Sequence, residues 1–346
     1  MPWEPSSAWV LKPRIIWGIL YPNFMAKKRA LSKRAKMQPA ELTLKYQLPG
    51  DGTDVYINLM RDLSAVNRRG YNGGQVLHIT GFTIKQDTAA NTTGLQSTIK
   101  ALPMTWVAAQ AYMKARMAWM DQQNRVRRES GQVSIRPAYE DFKVFMDNGH
   151  RTAGDIPTLD GGGTAVVQGE WDYSRLVYAD QTTNPETIRE PVLHMIGADS
   201  GVDSVGLINA YEESRATISP TVPNVPGEAS SNIYALMTTG QDDGAAKEVI
   251  ENMEDDNDNP PYALNNYPGT SANYGTQVDK CYVQTNPSNP VVHAPGFHCM
   301  LGLLRIYSQG KTLSSGVNFT LPGTLLVHLA PGPKRGVLSM NVGDLV

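Results

Sequence analysis

The sequence predicts an all-β chain: a two-sheet antiparallel β-sandwich, commonly a single jelly roll of eight strands. It adds long loop insertions, one main helix and a basic N-terminal arm. Three observations carry this. Eight or more strand-like runs are joined by long, uneven loops, and they do not alternate with helices as a parallel doubly wound sheet would require. Gly 31 and Pro 23 against a charged fraction of 18% describe a chain rich in turns. A cationic block at one end is followed by a body of opposite charge.

The strands begin at Glu41–Leu48, where apolar residues at 42, 44, 46 and 48 alternate with polar ones, the period of a half-buried strand. The turn Pro49-Gly50-Asp51-Gly52 ends it. Val55, Ile57 and Leu59 alternate again, 62–69 reads as a short helix, Gly70–Gly74 as a turn, and 75–85 as a long β-rich run. The main helix is predicted over 105–124, with Thr105 as its N-cap and Arg125, Arg127 and Arg128 at its C-terminal dipole. Trp106, Met113, Met117 and Met120 lie near one stripe, expected to be core. Further strands are expected at 139–147, 164–178, 191–196 and 205–211. Residues 217–295, rich in Pro, Gly, Asn, Ser and Thr, read as a loop-rich surface insertion containing a short helix at 245–253. Strands return at 297–308, 317–321 and 324–329.

The charge is unevenly spread. Residues 27–36, KKRALSKRAK, hold six cations (Lys27, Lys28, Arg29, Lys33, Arg34, Lys36) and no acid. Residues 1–40 carry eight Lys or Arg against Glu4, or +7; the whole chain is 31 − 33 = −2, so residues 41–346 sum to −9. Like charges in a block stay solvated, so 1–40 is expected to be a disordered arm that binds nucleic acid through phosphate neutralisation. A localisation signal or solubilising tail is the plainer reading, and the roles can coexist. The arm leads into one domain, 41–346. Residues 1–24 show no periodicity, hold Trp3, Trp9 and Trp17, and precede a normal-looking start at Met25, so they read as an upstream extension. Two cysteines, Cys281 and Cys299, are too few for a disulfide scaffold and are expected as free thiols. No apolar run approaches the roughly 20 residues of a membrane span.

Motifs of catalysis are absent: no G-x-x-x-x-G-K-[ST] and no G-x-S-x-G occurs. Gly161-Gly162-Gly163-Thr164 leads into a strand, so it reads as a plain loop. His293, His298 and Cys299 are close in sequence but suggest no fourth metal ligand. Glu254–Asp258 lacks the central Gly and terminal Glu of an EF-hand; it reads as a solvated acidic loop, with a calcium site between subunits as the minority alternative. No cofactor and no metal site is expected. Arg125, Arg127, Arg128 and Arg136 form a second basic cluster, for a shell interior, a subunit interface or plain solvent. Asn91 and Asn318 head sequons that read as accidental. The acid-rich 217–295 region is expected to face away from bound nucleic acid and to be the candidate for host contact.

A basic arm feeding a loop-rich sandwich resembles the plan of small icosahedral virus capsid proteins. The segments DVYINLMRDLSAVNRRGYNGG (54–74), LPMTW (102–106), YEDFKVFMD (139–147) and GEWDYSRLVY (169–178) look like segments of capsid proteins from circular, Rep-encoding single-stranded DNA (CRESS-DNA) viruses of circo-like, smacovirus-like and bacilladnavirus-like groups. The likeness covers roughly residues 27–210. The dense, Arg-dominated arm of many circoviruses is missing. The resemblance implies a self-assembling icosahedral shell of roughly 60 or roughly 180 copies, found in the virion and, during assembly, in the host nucleus or cytoplasm. The arm would point inward to the genome, here single-stranded DNA, with an RNA genome not distinguished. At +7 per arm the shells would carry roughly 420 or roughly 1,260 charges, the larger better matching a genome of a few thousand nucleotides. Such a protein is structural, not an enzyme, and has no membrane partner. The rivals are a lectin-like β-sandwich carbohydrate-binding module, which would not need the arm, and a hydrolase, for which no acid–base spacing exists.

Overall fold

Leu44, Tyr46 and Leu48 point inward while Thr43, Lys45 and Gln47 do not, and this alternation makes Thr43–Leu48 the first strand, β1. The structure is a computed structural model describing residues 38–87, 93–131, 139–180, 187–200, 203–213, 277–312 and 315–345. The chain reverses at Gly50, whose φ of +66° and whose approach to the Leu321 carbonyl exclude a side chain: an added Cβ would lie 1.7 Å from that oxygen. Strand β2, Asp51–Asn58, then runs into helix α1, Leu59–Asn67. The Asn58 side chain caps α1 by accepting from the Arg61 N–H at 3.2 Å, so the helix starts three residues earlier than its sequence signal. Strands β3, Gln75–Gln86, and β4, Thr93–Ala101, follow. The chain then leaves the sheets and returns for β5, Val278–Gln284; β6, Val291–Pro295; β7, Leu303–Thr312; and β8, Gly323–Leu329.

These strands build two curled antiparallel sheets in a β-sandwich-like arrangement. In the first the order is β1-β8-β3-β6, with short strands His298–Met300 and Ser339–Asn341 also on β3. In the second it is β2-β7-β4-β5, with Asn318–Phe319 beside β2 on the outer edge of β7. Inward residues from both sheets, among them Tyr46, Ile57, Phe82, Ile99, Ile306 and Leu325, make the main core.

Between β4 and β5, the described residues from 102 to 213 carry a second core. Helix α2, Trp106–Glu129, is capped by Thr105, whose Oγ1 accepts from the Ala108 N–H at 3.2 Å. Its buried face is Ala108, Ala111, Tyr112 and Ala115 at helical spacing, packed on Phe142, Val144, Met146, Leu193 and Ile208. The Met–Trp stripe is therefore not the core face: Met117 is 60% exposed and Trp106, Met113 and Met120 are half-buried. Small alanines allow the close approach, and the larger residues flank it. Short helices α3, Asn148–Ala153, and α4, Leu207–Glu213, complete the region's described helices.

Several expected strands differ. Residues 139–147 bury Phe142, Val144 and Met146 alternately, yet form a single bridge, Phe145 to His194. Residues 164–178 cross the surface with isolated bridges at Ala165 and Arg175, and Tyr178–Asp180 pairs with Thr187–Arg189. Within 191–196 only Val192–His194 is strand; within 205–211, Ser204–Gly206 gives way to α4. The run 297–308 is broken by a turn at Leu301-Gly302. Strands β5 and β6 occupy the end of the stretch that reads as loop-rich; residues 214–276, including the helix expected at 245–253 and Glu254–Asp258, lie outside the described residues.

Candidate nucleic-acid interface

The six arm cations Lys27, Lys28, Arg29, Lys33, Arg34 and Lys36 lie outside the described residues, as do Arg136 and Asn91. The second basic cluster is described at the end of α2. Arg125 and Arg128 are exposed there, and Arg128, in the last turn, complements the helix dipole. Arg127 is not offered to a ligand: its guanidinium bonds Glu140 Oε1 at 2.7 Å and Asn124 Oδ1 at 2.8 Å. It fastens segment 139–147 to the helix, so the cluster divides into two solvent-facing cations and one clamp.

His293 and His328 serve the first sheet. Thr83 Oγ1 on β3 lies 2.9 Å from His293 Nδ1 on β6 and 3.0 Å from His328 Nε2 on β8, while His328 Nδ1 lies 3.3 Å from Thr43 Oγ1 on β1. This polar row crosses four strands. His78 and His298 meet ring to ring at 4.6 Å. Among the described residues no three His, Cys, Asp or Glu side chains are placed to hold a metal ion. Cys281 and Cys299 are both free thiols. Gly161–Gly163 is a turn: Asp160 accepts from Gly163 N–H at 3.1 Å through its carbonyl and from Thr164 N–H at 2.8 Å through its side chain.

The strongest polar chemistry joins segment 139–180 to the sandwich. Arg61, on α1, reaches Asp62 and Asp155, each at 3.1 Å, and its Nη2 donates to Ile156 O at 2.6 Å. Asp155 also accepts from Tyr173 OH at 2.5 Å and from His150 Nε2 at 2.7 Å. The backbone N–H of Met146 donates to His150 Nδ1 at 3.0 Å, so the ring is held as its Nε2–H tautomer. Asp62 accepts from Tyr46 OH at 2.7 Å and Gln168 Nε2 at 3.2 Å. Two carboxylates thus share one guanidinium, and their titrations part. Burial pushes Asp62 up to about 6, with Arg61 and Tyr46 pulling the other way. At Asp155 burial also pushes upward, but the His150 hydrogen bond and the charges beside it outweigh it and hold the carboxyl below its usual range.

A second clamp lies alongside. Asp147 caps α3 through His150 N–H at 2.6 Å and accepts from Tyr56 OH, Gln277 and Arg305; Arg305, on β7, also pairs with Asp54 on β2. Tyr56 stacks on His150 at 4.8 Å, and Phe145 stacks on Tyr173 at 3.6 Å. His150 is 1% exposed, and the His150–Asp155 pair ties segment 139–180 to the sandwich. The sequence reading missed this joint. Its one local signal was Arg61-Asp62 inside the apolar run Leu59, Met60, Leu63 of a short helix, where charge is costly unless paired.

No protein-family model, no curated protein and no solved structure matches the chain. Among the described residues no helix is long and apolar enough to cross a membrane.

Proposed function

We propose that the chain is a coat protein whose two sheets are those of a single jelly roll, and which assembles into a closed icosahedral shell around nucleic acid held by the basic arm. One observation supports it most. The pairs β1·β8, β2·β7, β3·β6 and β4·β5 are the rungs of one long hairpin, first half against second. The cross-pairs β8·β3 and β7·β4 are those made when such a hairpin rolls up, which is how two Greek keys form a jelly roll. The +7 on residues 1–40 against −9 on the remainder supplies the second half of the reading. The protein's work is then structural: the sandwich provides a rigid wall, the 102–277 region and the loops provide contacts between copies or with the host, and the arm neutralises the packaged strand without reading its sequence. Single-stranded DNA is the cargo favoured by the resemblance of 54–74, 102–106, 139–147 and 169–178.

The test is co-purification. The full chain should carry nuclease-protected nucleic acid, and binding measured by titration should weaken steeply with salt. A variant lacking residues 1–40 should fold, because β1 begins at Thr43, yet lose most of the nucleic acid. Unchanged nucleic acid content in that variant refutes the role of the arm.

A further inference from the structure

Segments 64–72, 139–143 and 168–171 converge with Gln38 and Arg335 to line a cleft of about 940 Å³. Its walls carry the cations Arg68, Arg69, Lys143 and Arg335 and the aromatic rings Tyr71, Tyr139 and Trp171. A neighbouring cavity of about 310 Å³ shares Tyr71, Asn72, Asp141 and Arg335 with it and adds Arg116 and Lys334. The opposing charge is largely engaged. Glu140 is held by Arg127 at 2.7 Å. Asp141 is a half-buried acceptor for the Gly73 N–H at 2.6 Å, and burial raises its pKa. Glu170 is the one carboxylate of the lining without such a partner among the described residues. Arg69 donates to Pro39 O at 2.9 Å, Lys334 donates to Gln75 Oε1 at 2.5 Å with Asp344 in electrostatic reach, and Lys143 Nζ sits 4.4 Å from the Trp171 ring centroid with Asp141 in electrostatic reach.

The backbone gives a separate sign. Three described non-glycine residues have positive φ, and two of them, Arg68 at +53° and Arg335 at +55°, line this cleft. Arg68 is the left-handed C-cap of α1, a position where glycine is the unstrained choice. Both arginines adopt a backbone conformation that costs a non-glycine residue, and strain of this kind concentrates at binding sites. Gly70 lets the two sides meet: an added Cβ would lie 3.3 Å from Arg335 Nη1 and 3.3 Å from the Tyr139 ring. Tyr71 OH donates to Arg335 O at 2.8 Å and fixes the turn that presents that guanidinium. Tyr139, 81% exposed, leaves most of its ring in solvent.

We infer that this cleft binds single-stranded nucleic acid, seating phosphate among Arg68, Lys143 and Arg335 and stacking a base on Tyr139 or Trp171. Cationic grooves with exposed rings bind single strands without sequence preference, because every base has a π-face. The inference rests on the packaging reading and gives it a second, ordered contact.

The test is ultraviolet cross-linking of a photoreactive oligodeoxythymidylate to the full chain, followed by peptide mapping. Cross-links are expected at Tyr139 or Trp171, competed by unlabelled oligonucleotide and not by equal concentrations of thymidine monophosphate or inorganic phosphate. Arg68→Gly with Arg335→Gly removes two charges while relaxing the backbone. This variant should cross-link in the cleft roughly tenfold less, with a thermal midpoint equal to or above that of the unaltered chain. Cross-links confined to residues 1–40, or an undiminished cleft signal in the double variant, overturn the assignment and leave packaging by the arm standing. Equal competition by phosphate would mark a site for free phosphate and equally overturn it. A full chain that binds no oligonucleotide at all overturns the packaging reading together with this one.

Discussion

Asp155→Ala should loosen segment 139–180 from the sandwich more than any other single truncation of its clamps. Asp155 is 4% exposed, and its partners Arg61 and His150 are 6% and 1% exposed. The change removes the acceptor of a 2.5 Å bond from Tyr173, of a 2.7 Å bond from His150, and one of two carboxylates facing Arg61. Breaking a buried ion pair by deleting one partner costs about 3–5 kcal/mol, mostly through the charge left behind. Arg61 keeps Asp62, which favours the lower half of that range. At about 2–4 °C per kcal/mol, a loss of about 3–4 kcal/mol should lower the midpoint by ~6–16 °C. Thermal unfolding of the full chain measures this, with Asp160→Ala in the exposed turn as control. Limited proteolysis should also show faster cutting within 139–180. A loss below about 1 kcal/mol, the range of an exposed pair, would refute the claim that this joint is dry and coupled.

Three further outcomes follow from the same structure. Asp62 holds its proton more tightly when folded than when unfolded, so its contribution to stability is full below about pH 4 and is lost as pH rises towards 6; Asp62→Asn should therefore gain on the unaltered chain by ~1–3 kcal/mol between pH 4.5 and 7, read from urea midpoints, and a constant difference contradicts this. Burial pushes the Cys299 thiol up to about 12 and shields it in the sandwich core, whereas Cys281 is only half-buried, so iodoacetamide should modify Cys281 first and Cys299 only on unfolding; equal native rates would show the packing to be wrong. Thr105→Ala should cost about 1 kcal/mol of stability through loss of the α2 cap, and no change in urea midpoint would count against that helix start.

The parts of the fold legible in the sequence are those where a local pattern and a local cap agree. Strand β1 shows its period of two, α2 its Thr105 cap, and β8 its alternation of Leu325, Val327 and Leu329. Strand β4 escaped notice because its inward positions include Ser97 and Ala101 beside Leu95 and Ile99, too little contrast for a period to emerge. Residues 139–147 misled for the opposite reason. Alternation there reports two faces, one against α2 and one outward, and says nothing about a ladder partner. The stripe on α2 was misplaced because large apolar residues outrank alanine in a hydrophobic pattern, while close helix packing prefers alanine. The clamps and the basic cleft were out of reach, since Arg61 meets Asp155, and Arg68 shares a cleft with Arg335, through chain separations that only the rolled-up topology closes.

Electron microscopy of the purified full chain tests the central proposal most directly. The account predicts uniform closed particles with internal density from nucleic acid, each built of subunits with the β1-β8-β3-β6 and β2-β7-β4-β5 sheets. A monodisperse monomer or small oligomer at every salt and protein concentration would contradict it.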